Sequence, residues 1–217
     1  MTLDAQTTQA LAAVSTATIT TVLLKKGLRN VWMRGPRALK PAQPRLVGRA
    51  FTMRFIPARE DLATPESWSS PRSTRAAIED MQPGVIAVVD AMGVTDAGIF
   101  GDILCARMQK RGVAGLVTDG VVRDVAGVLG TGLPVWCRGV AAPPSVAGLT
   151  FVNWQEPVAC GGVAVFPDDV VLVDEDGAVL IPQNLLAEVE KGVKLPGLYP
   201  PNDDAKARYT EWRKAKG

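Results

Sequence analysis

The hydrophobic and polar positions along this chain predict helices interleaved with buried strands. Apolar residues recur at helical spacing, with Ser, Gly or Pro marking several ends, at 16–26, 72–81, from 102 onwards, 124–129 and 184–191. Short apolar runs bounded by turn residues predict strands at 46–56, 85–90, 134–138, 162–166, 170–174 and 178–181, and a proline-rich loop is expected at 35–44. This mixture predicts a single α/β domain over 1–217, with parallel and antiparallel strands and a helical tail at about 202–217.

A polar motif stands near the middle of the chain. Gly101-Asp102-Ile103-Leu104 is followed, after twenty residues, by Arg123-Asp124, and the chain has no histidine. Acid–base and metal chemistry must therefore depend on carboxylates, arginine and water. Asp102 is predicted to open a helix and Arg123-Asp124 to follow a strand, and such positions meet at one edge of an α/β sheet.

The acidic motif residues also have a structural explanation. Taken singly, Asp102 or Asp124 would most often be a helix cap or a first-turn carboxylate. A cap does not require an adjacent arginine, whereas the planar guanidinium of Arg123 suits a carboxylate or carbonyl oxygen. Aspartate oxygens with water suit a hard cation such as Mg²⁺ or Mn²⁺. Together the three residues indicate a site for a keto acid and a metal.

The motif resembles that of the divalent-metal pyruvate aldolases typified by 4-hydroxy-4-methyl-2-oxoglutarate aldolase. It lies in a GD…GxxGxVxDGxxRD frame, and softer similarity extends over 15–18, 46–52 and 161–182. The same fold includes the regulator of ribonuclease E activity A, which lacks the complete acidic motif. The resemblance implies a compact β/β/α sandwich of the RraA-like, swivelling-domain type.

The resemblance also implies roles for the acidic and basic motif residues. Asp124 would ligate Mg²⁺ or Mn²⁺ directly, and Asp102 would hold the metal through water or orient a proton-transferring water. Arg123 would contact the keto acid and stabilise charge on its oxygen.

The start of the motif helix would bind the pyruvoyl half of the substrate. The backbone N–H groups of Ile103 and Leu104 would receive the pyruvoyl carboxylate, since unsatisfied N–H groups and the helix dipole favour an anion. Gly101 would permit close approach of that backbone.

These roles imply a metal-dependent carbon–carbon lyase. The metal would act as a Lewis acid on the 2-keto oxygen, so that cleavage leaves a metal-stabilised pyruvate enolate. Retro-aldol cleavage of a 4-hydroxy-2-keto acid to pyruvate and a second keto acid, and decarboxylation of oxaloacetate, would share that product. The alternative is a non-catalytic regulator that binds ribonuclease E or another protein, and the retained Asp102, Arg123 and Asp124 argue against it.

The distal half of the site departs from the family pattern in the longer segment 58–71. Arg72 and Arg75, expected on one side of the following helix, would hold a second substrate carboxylate or form a solvated face. The family has been proposed to use a carboxylate from a neighbouring subunit as a base. Glu211 is one candidate here, with a solvated tail glutamate as the plainer interpretation.

Three other aspartates lie near the motif. Asp119-Gly120 is expected to make the turn that presents Arg123 and Asp124, a structural role. Asp90 and Asp96 flank a glycine-containing loop, and either could line the pocket.

Composition indicates which partners and which cellular compartment to expect. The chain is 47% hydrophobic and 21% charged with a net charge of +2, and without a broad basic face it is not expected to bind nucleic acid. No run approaches the ~20 apolar residues of a membrane span. Cys105, Cys137 and Cys160 show no disulfide or zinc spacing, which favours a reducing cytoplasm. Cys105 could be a nucleophile, but without histidine a buried structural thiol is favoured. A homotrimer or homohexamer is implied by resemblance alone.

Overall fold

Six α-helices and thirteen strands are found in the part of the chain that the computed structural model describes, residues 3–193 and tail positions 207, 210, 211, 214 and 215. The helices are α1 (Ala5–Ala12), α2 (Thr16–Lys25), α3 (Thr74–Asp80), α4 (Asp102–Lys110), α5 (Val125–Gly130) and α6 (Leu186–Val193). The strands are β1 (Trp32–Met33), β2 (Arg37–Ala38), β3 (Leu46–Pro57), β4 (Ile86–Asp90), β5 (Gly115–Thr118), β6 (Val121–Val122), β7 (Val135–Cys137), β8 (Gly139–Val140), β9 (Leu149–Trp154), β10 (Val158–Cys160), β11 (Val163–Val165), β12 (Val170–Asp174) and β13 (Gly177–Ile181). Short 3₁₀ turns lie at Pro65–Ser69, Ser145–Ala147 and Gln183–Leu185.

The main sheet has nine strands in the order β1-β13-β12-β3-β4-β5-β7-β2, with β9 also pairing with β3. Its central strands β3, β4, β5 and β7 are parallel, and the remaining pairs in this sheet are antiparallel. Two small sheets accompany it, the antiparallel hairpin β10–β11 and the parallel pair β6–β8. The predicted α/β class with mixed strand directions is confirmed.

Successive side chains of the sheet contribute to different cores, because neighbouring strand residues point to opposite faces. On β12, Val171 and Val173 pack with the β10–β11 hairpin, whereas Val170 and Leu172 pack with α1, α2 and α6. On β4, Ala87 packs in a third cluster with buried residues of α3, α4 and α5. Full burial of a Val or Leu side chain contributes roughly 1.5–3 kcal/mol. The layers are therefore hairpin, sheet and helices, in agreement with the expected β/β/α sandwich.

The predicted elements are found with small shifts, and one of these shifts matters for the site. The helix expected over 72–81 begins at Thr74, because Ser73 is its N-cap and accepts a hydrogen bond from the Ala76 N–H at 3.2 Å. Arg72 therefore precedes the helix. The prediction that Arg72 and Arg75 share one side of a helix is wrong.

Several short elements were not predicted from the sequence. They include α1, the strand β9, and β2, which lies within the expected proline-rich loop. The two-residue strand β2 is set by its pairing with β7 and has little periodicity of its own. The predicted tail helix lies mostly outside the described residues, and the five described tail positions, which include Glu211, are helical and exposed.

Within the described residues, no single helix has the length and apolar character needed to cross a membrane. The bent pair α1 and α2, at 101° to each other, meets that test only when the two are joined, and only by length and composition.

Candidate active site

The strand β6 brings the two halves of the motif together. The Ile99 N–H donates to the Val121 carbonyl at 2.9 Å, and the Arg123 N–H donates to the Phe100 carbonyl at 2.9 Å. The loop that leads into α4 therefore runs beside the segment that leads into α5. As a result, residues separated by twenty positions in the sequence become neighbours.

A cleft of about 260 Å³ lies where these segments meet. Its walls combine charged side chains, one aromatic ring and backbone at the start of α4, from Trp68, Thr74, Arg75, Gly98, Ile99, Gly101, Asp102, Ile103, Leu104, Arg123, Asp124, Pro144 and Ser145. Pockets for drug-sized ligands usually measure roughly 300–1,000 Å³. The volume suits a small, polar ligand.

Asp124 has an unusual backbone conformation. Its φ of 53° and ψ of 46° are left-handed, which aspartate tolerates better than most residues. Asp124 occupies the N-cap position of α5, but its side chain makes no capping hydrogen bond. Its Oδ2 instead accepts a hydrogen bond from Arg123 Nε at 3.0 Å. A capping role therefore does not account for this carboxylate.

Three glycines allow the motif residues to approach one another. A Cβ atom at Gly101 would lie 2.7 Å from Asp124 Oδ2, one at Gly98 would lie 2.7 Å from Arg123 Cβ, and one at Gly127 would lie 2.6 Å from Asp102 Cβ. A Cβ atom at any of these positions would force the neighbouring side chain to shift. Gly98 and Gly127 were missed by sequence reasoning, although a glycine inside the predicted helix 124–129 is itself a signal of close backbone approach.

The first turn of α4 offers two unoccupied N–H groups to an anion, those of Asp102 and Leu104, among the described residues. Gly101 is the N-cap, and the Asp102 Oδ1 accepts a hydrogen bond from the Ile103 N–H at 2.8 Å. The Leu104 N–H makes no hydrogen bond to any described residue. Of the two backbone groups predicted to receive a carboxylate, Leu104 is available and Ile103 is occupied by Asp102.

The carboxylates of the cleft fit a hard cation that keeps most of its water. Asp102 and Asp124 are its two acidic side chains, and the side chain of Asp124 is 48% exposed. No group of three or more possible ligands occurs among the described residues. Mg²⁺ is commonly bound by one or two carboxylates with several retained waters, whereas structural zinc sites require four protein ligands. Asp124 would be the direct ligand and Asp102 a water-mediated one.

The neighbouring aspartates lie outside the cleft. Asp119 is buried, and its carboxylate accepts backbone N–H groups from Ala91 at 2.8 Å and Gly161 at 3.1 Å. Burial raises the pKa of Asp119 above its usual value. Asp90 likewise accepts two backbone N–H groups, and Asp96 is exposed and does not line the cleft. Asp90 and Asp119 thus tie strand ends to adjoining backbone.

The cysteines are structural. Cys105, Cys137 and Cys160 are buried and unpaired. Burial, reinforced by the charge of Asp102, raises the pKa of Cys105 to about 12, and burial also raises the pKa of Cys137 and Cys160. A thiol with such a pKa is not a nucleophile near neutral pH.

The chain is similar to known proteins in sequence and in fold. A protein of Halalkalibacterium halodurans that carries the provisional name 4-hydroxy-4-methyl-2-oxoglutarate aldolase is 33% identical over 120 residues, which is 53% of this chain and 56% of that protein. A Thermus thermophilus protein with the same provisional name is 30% identical over 140 residues, 64% of this chain and 77% of that protein. The chain thus spans little more than half the length of the Halalkalibacterium relative.

A solved structure matches almost the whole chain. It is Streptomyces coelicolor RraAS2, described as an unusual member of the RNase ES inhibitor RraA protein family. The two are 32% identical, with a TM-score of 0.77, and the match covers 99% of this chain and 96% of that one. A family model described as RraA-like, Aldolase/RraA, matches residues 12–180, which is most of the sequence. The chain therefore belongs to the RraA-like, Aldolase/RraA family.

Proposed function

We propose that this protein is a divalent-metal-dependent lyase that cleaves 4-hydroxy-2-keto acids, such as 4-hydroxy-4-methyl-2-oxoglutarate, to pyruvate and a second keto acid. The observation that carries the proposal is the shared cleft of Asp102, Arg123 and Asp124, built at a helix start by three close glycine contacts. The relatives with aldolase names support the same reaction class.

The site residues divide into metal-holding and substrate-binding groups. Asp124, with Asp102 through water, would hold Mg²⁺ or Mn²⁺, which when bound supplies a Lewis acid to polarise the 2-keto group. The Leu104 N–H is positioned for the substrate's C1 carboxylate. Arg123 uses Nε for Asp124, so its remaining N–H donors are available to the keto acid.

Cleavage then follows ordinary retro-aldol chemistry. A water oriented by Asp102 accepts the proton of the 4-hydroxyl, the C3–C4 bond breaks, and C4 becomes a carbonyl. The electron pair of the broken bond forms the C2–C3 double bond of pyruvate enolate, whose oxygen charge Arg123 stabilises. Proton return to C3 gives pyruvate. Decarboxylation of oxaloacetate leaves the same enolate, so we include that reaction in the proposal.

The second candidate function is regulation of a ribonuclease. It is favoured by the likeness to RraAS2, which is described as a member of an RNase ES inhibitor family. A regulator of this kind would slow RNA cleavage by a purified ribonuclease E-type enzyme, and Asp124→Asn would not change that effect. A lyase alone would leave RNA cleavage unchanged at equimolar protein.

The setting of the enzyme is also part of the proposal. The free buried thiols suit a reducing cytoplasm. A homotrimer or homohexamer is included in the proposal through the resemblance to the family. Sedimentation analysis of the purified protein measures this state directly.

The proposed lyase activity is tested by measuring pyruvate release from 4-hydroxy-4-methyl-2-oxoglutarate and from oxaloacetate. The wild type is assayed with Mg²⁺, with Mn²⁺ and with EDTA, beside Asp124→Asn, Arg123→Ala and the control Asp96→Asn, an exposed carboxylate outside the cleft. We expect the wild type to release pyruvate only with metal and to lose this activity in EDTA. The activity should fall roughly 10²–10³-fold in both cleft variants and should be retained in Asp96→Asn. Equal turnover in Asp124→Asn would overturn the proposed site.

A further inference from the structure

We propose that Arg75 binds the distal carboxylate of the substrate, so that the site selects dicarboxylic over monocarboxylic 2-keto acids. This inference rests on the proposed lyase function and extends it to the half of the substrate that does not become the pyruvate enolate.

The packing of α3 places Arg75 in the cleft. Thr74, Ala77 and Ile78 face the interior, at 7%, 0% and 0% exposure, which leaves Arg75 on the outer side of the first turn. Arg75 lines the same cleft as Asp102, Arg123 and Asp124. The sequence left two roles open for Arg75, a solvated helix face or a carboxylate-binding site. Its position in the cleft favours carboxylate binding.

The orientation of α3 relative to the motif helix is held by a bidentate ion pair. Glu79 on α3 accepts hydrogen bonds from Arg107 on α4 through Nε and Nη2, each at 2.6 Å. Arg111, which follows α4, adds a third contact to Glu79 at 3.2 Å. The helix that bears Arg75 is thereby linked to the helix that Asp102 opens.

The same ion pairs leave Arg75 without an anionic partner. Glu79 is four residues after Arg75, the spacing at which helical side chains of opposite charge normally meet. Both Glu79 oxygens instead bond Arg107, with Arg111 also contacting one of them. Among the described residues, no carboxylate forms an ion pair with Arg75 and none accepts a hydrogen bond from its side chain. Its guanidinium is free to bind a ligand.

The charge of the cleft fits a substrate with two carboxylates. With a divalent cation on Asp102 and Asp124, the acidic side chains are neutralised and two guanidinium groups remain, those of Arg123 and Arg75. Arg123 and the Leu104 N–H account for the pyruvoyl end. Arg75 can then present its planar donors to the second carboxylate in a bidentate pair. Trp68, from the 3₁₀ turn Pro65–Ser69, lines the cleft as an apolar wall for the carbon chain.

Arg72 provides a matched control. It is an exposed arginine only three residues away, but it precedes α3 and lines a neighbouring groove of about 340 Å³ rather than the cleft. Replacement of either arginine by alanine removes the same charge and the same side-chain volume. Any difference in ligand binding between the two variants is therefore due to the position of the arginine, inside or outside the cleft.

Calorimetric binding of two uncleavable keto acids tests the inference without turnover. The probes are 2-oxoglutarate and 2-oxopentanoate, which have the same chain length and differ in the distal carboxylate, each titrated in Mg²⁺ into wild type, Arg75→Ala, Arg75→Lys and Arg72→Ala. We expect wild type and Arg72→Ala to prefer 2-oxoglutarate. Arg75→Ala should bind 2-oxoglutarate about tenfold or more weakly and 2-oxopentanoate equally well, with Arg75→Lys intermediate.

The outcomes separate this inference from the lyase proposal. If Arg75→Ala still prefers 2-oxoglutarate as the wild type does, or binds both keto acids more weakly by the same factor, the role of Arg75 is overturned. The proposed lyase site is not affected by that result. If neither keto acid binds the wild type and no substrate is cleaved, the proposed function itself fails. In the cleavage assay, a higher KM for 4-hydroxy-4-methyl-2-oxoglutarate with little change in kcat is the matching result for Arg75→Ala.

Discussion

The Nε atom of Arg123 lies 3.0 Å from Oδ2 of Asp124, the next residue in the chain. The pair is held by backbone on both sides: the Arg123 N–H bonds the Phe100 carbonyl, and the Asp124 carbonyl accepts from the Val128 N–H at 2.9 Å. The two side chains are 34% and 48% exposed, so the ion pair contributes at most about 1 kcal/mol to stability. Its main effect is to orient the Asp124 carboxylate.

We therefore expect Asp124→Asn to separate activity from stability. The amide keeps the size of the side chain but loses the charge needed for a cation, so lyase activity should fall roughly 10²–10³-fold. The free energy of unfolding should change by less than about 1 kcal/mol, because the pair is partly exposed. Urea unfolding followed by circular dichroism, together with the pyruvate assay, measures both. A large loss of stability would show that the carboxylate has a mainly structural role.

Gly101→Ala should impair the site with little effect on the fold. The φ of Gly101 is −118°, which alanine adopts readily, but the new Cβ would lie 2.7 Å from Asp124 Oδ2. The Asp124 carboxylate must move, and a displacement near 1 Å can cost about 10²-fold in rate. Steady-state pyruvate release measures this loss.

Gly130→Ala is the matched control for that substitution. Gly130 ends α5, and a Cβ there would meet nothing within 4 Å. We expect full activity and a stability unchanged or raised by up to about 1 kcal/mol, since alanine favours helix more than glycine does. Equal losses of activity in the two alanine variants would refute the steric explanation for Gly101.

The three cysteines should resist alkylation in the native protein. Burial raises the pKa of Cys105 to about 12, so its thiol stays protonated at pH 8, and the other two thiols shift in the same direction. Mass spectrometry after iodoacetamide treatment should find no labelled cysteine in native protein and three in urea. Rapid labelling of native Cys105 with loss of activity would instead indicate a reactive thiol.

The contribution of Asp119 to the free energy of unfolding should decrease as pH rises from acid towards neutral. Its pKa is raised in the folded state above the ordinary value of 3.8, so the folded state binds the proton more tightly than the unfolded chain. The stability contributed by the protonated form is present below pH 3.8 and is lost as pH rises through the folded pKa. Burial, the largest cause of the shift, outweighs the lowering by the Ala91 and Gly161 N–H groups.

Asp119→Asn isolates this titration, because asparagine does not ionise. The unfolding free energy of wild type minus that of the variant should fall with pH across this window, as measured by urea denaturation at a series of pH values. A difference that rises with pH would mean that the two backbone hydrogen bonds outweigh the cost of burying the charge.

Much of the local structure follows from the sequence alone. The apolar runs at 46–56 and 170–174 predict β3 and β12, and the helix predicted from residue 16 is α2, with Ser15 as its N-cap. These features depend on residues a few positions apart, through alternation, helix capping and turn chemistry. The sequence also identified the motif residues as candidate site residues, because a helix cap does not need an arginine beside the aspartate.

Only the tertiary structure decided which of those residues share a cleft. Sequence spacing treated Arg72 and Arg75 alike, whereas the cap at Ser73 and the packing of α3 on α4 bring Arg75 alone into the site. The contact between Gly127 and Asp102 likewise has no local signature beyond an unexplained glycine. The sequence by itself determined several of the longer strands, several helix starts and the kind of chemistry available. Their assembly depends on pairing and packing between remote segments, above all on β6 beside the loop before α4, and no local pattern encodes that register.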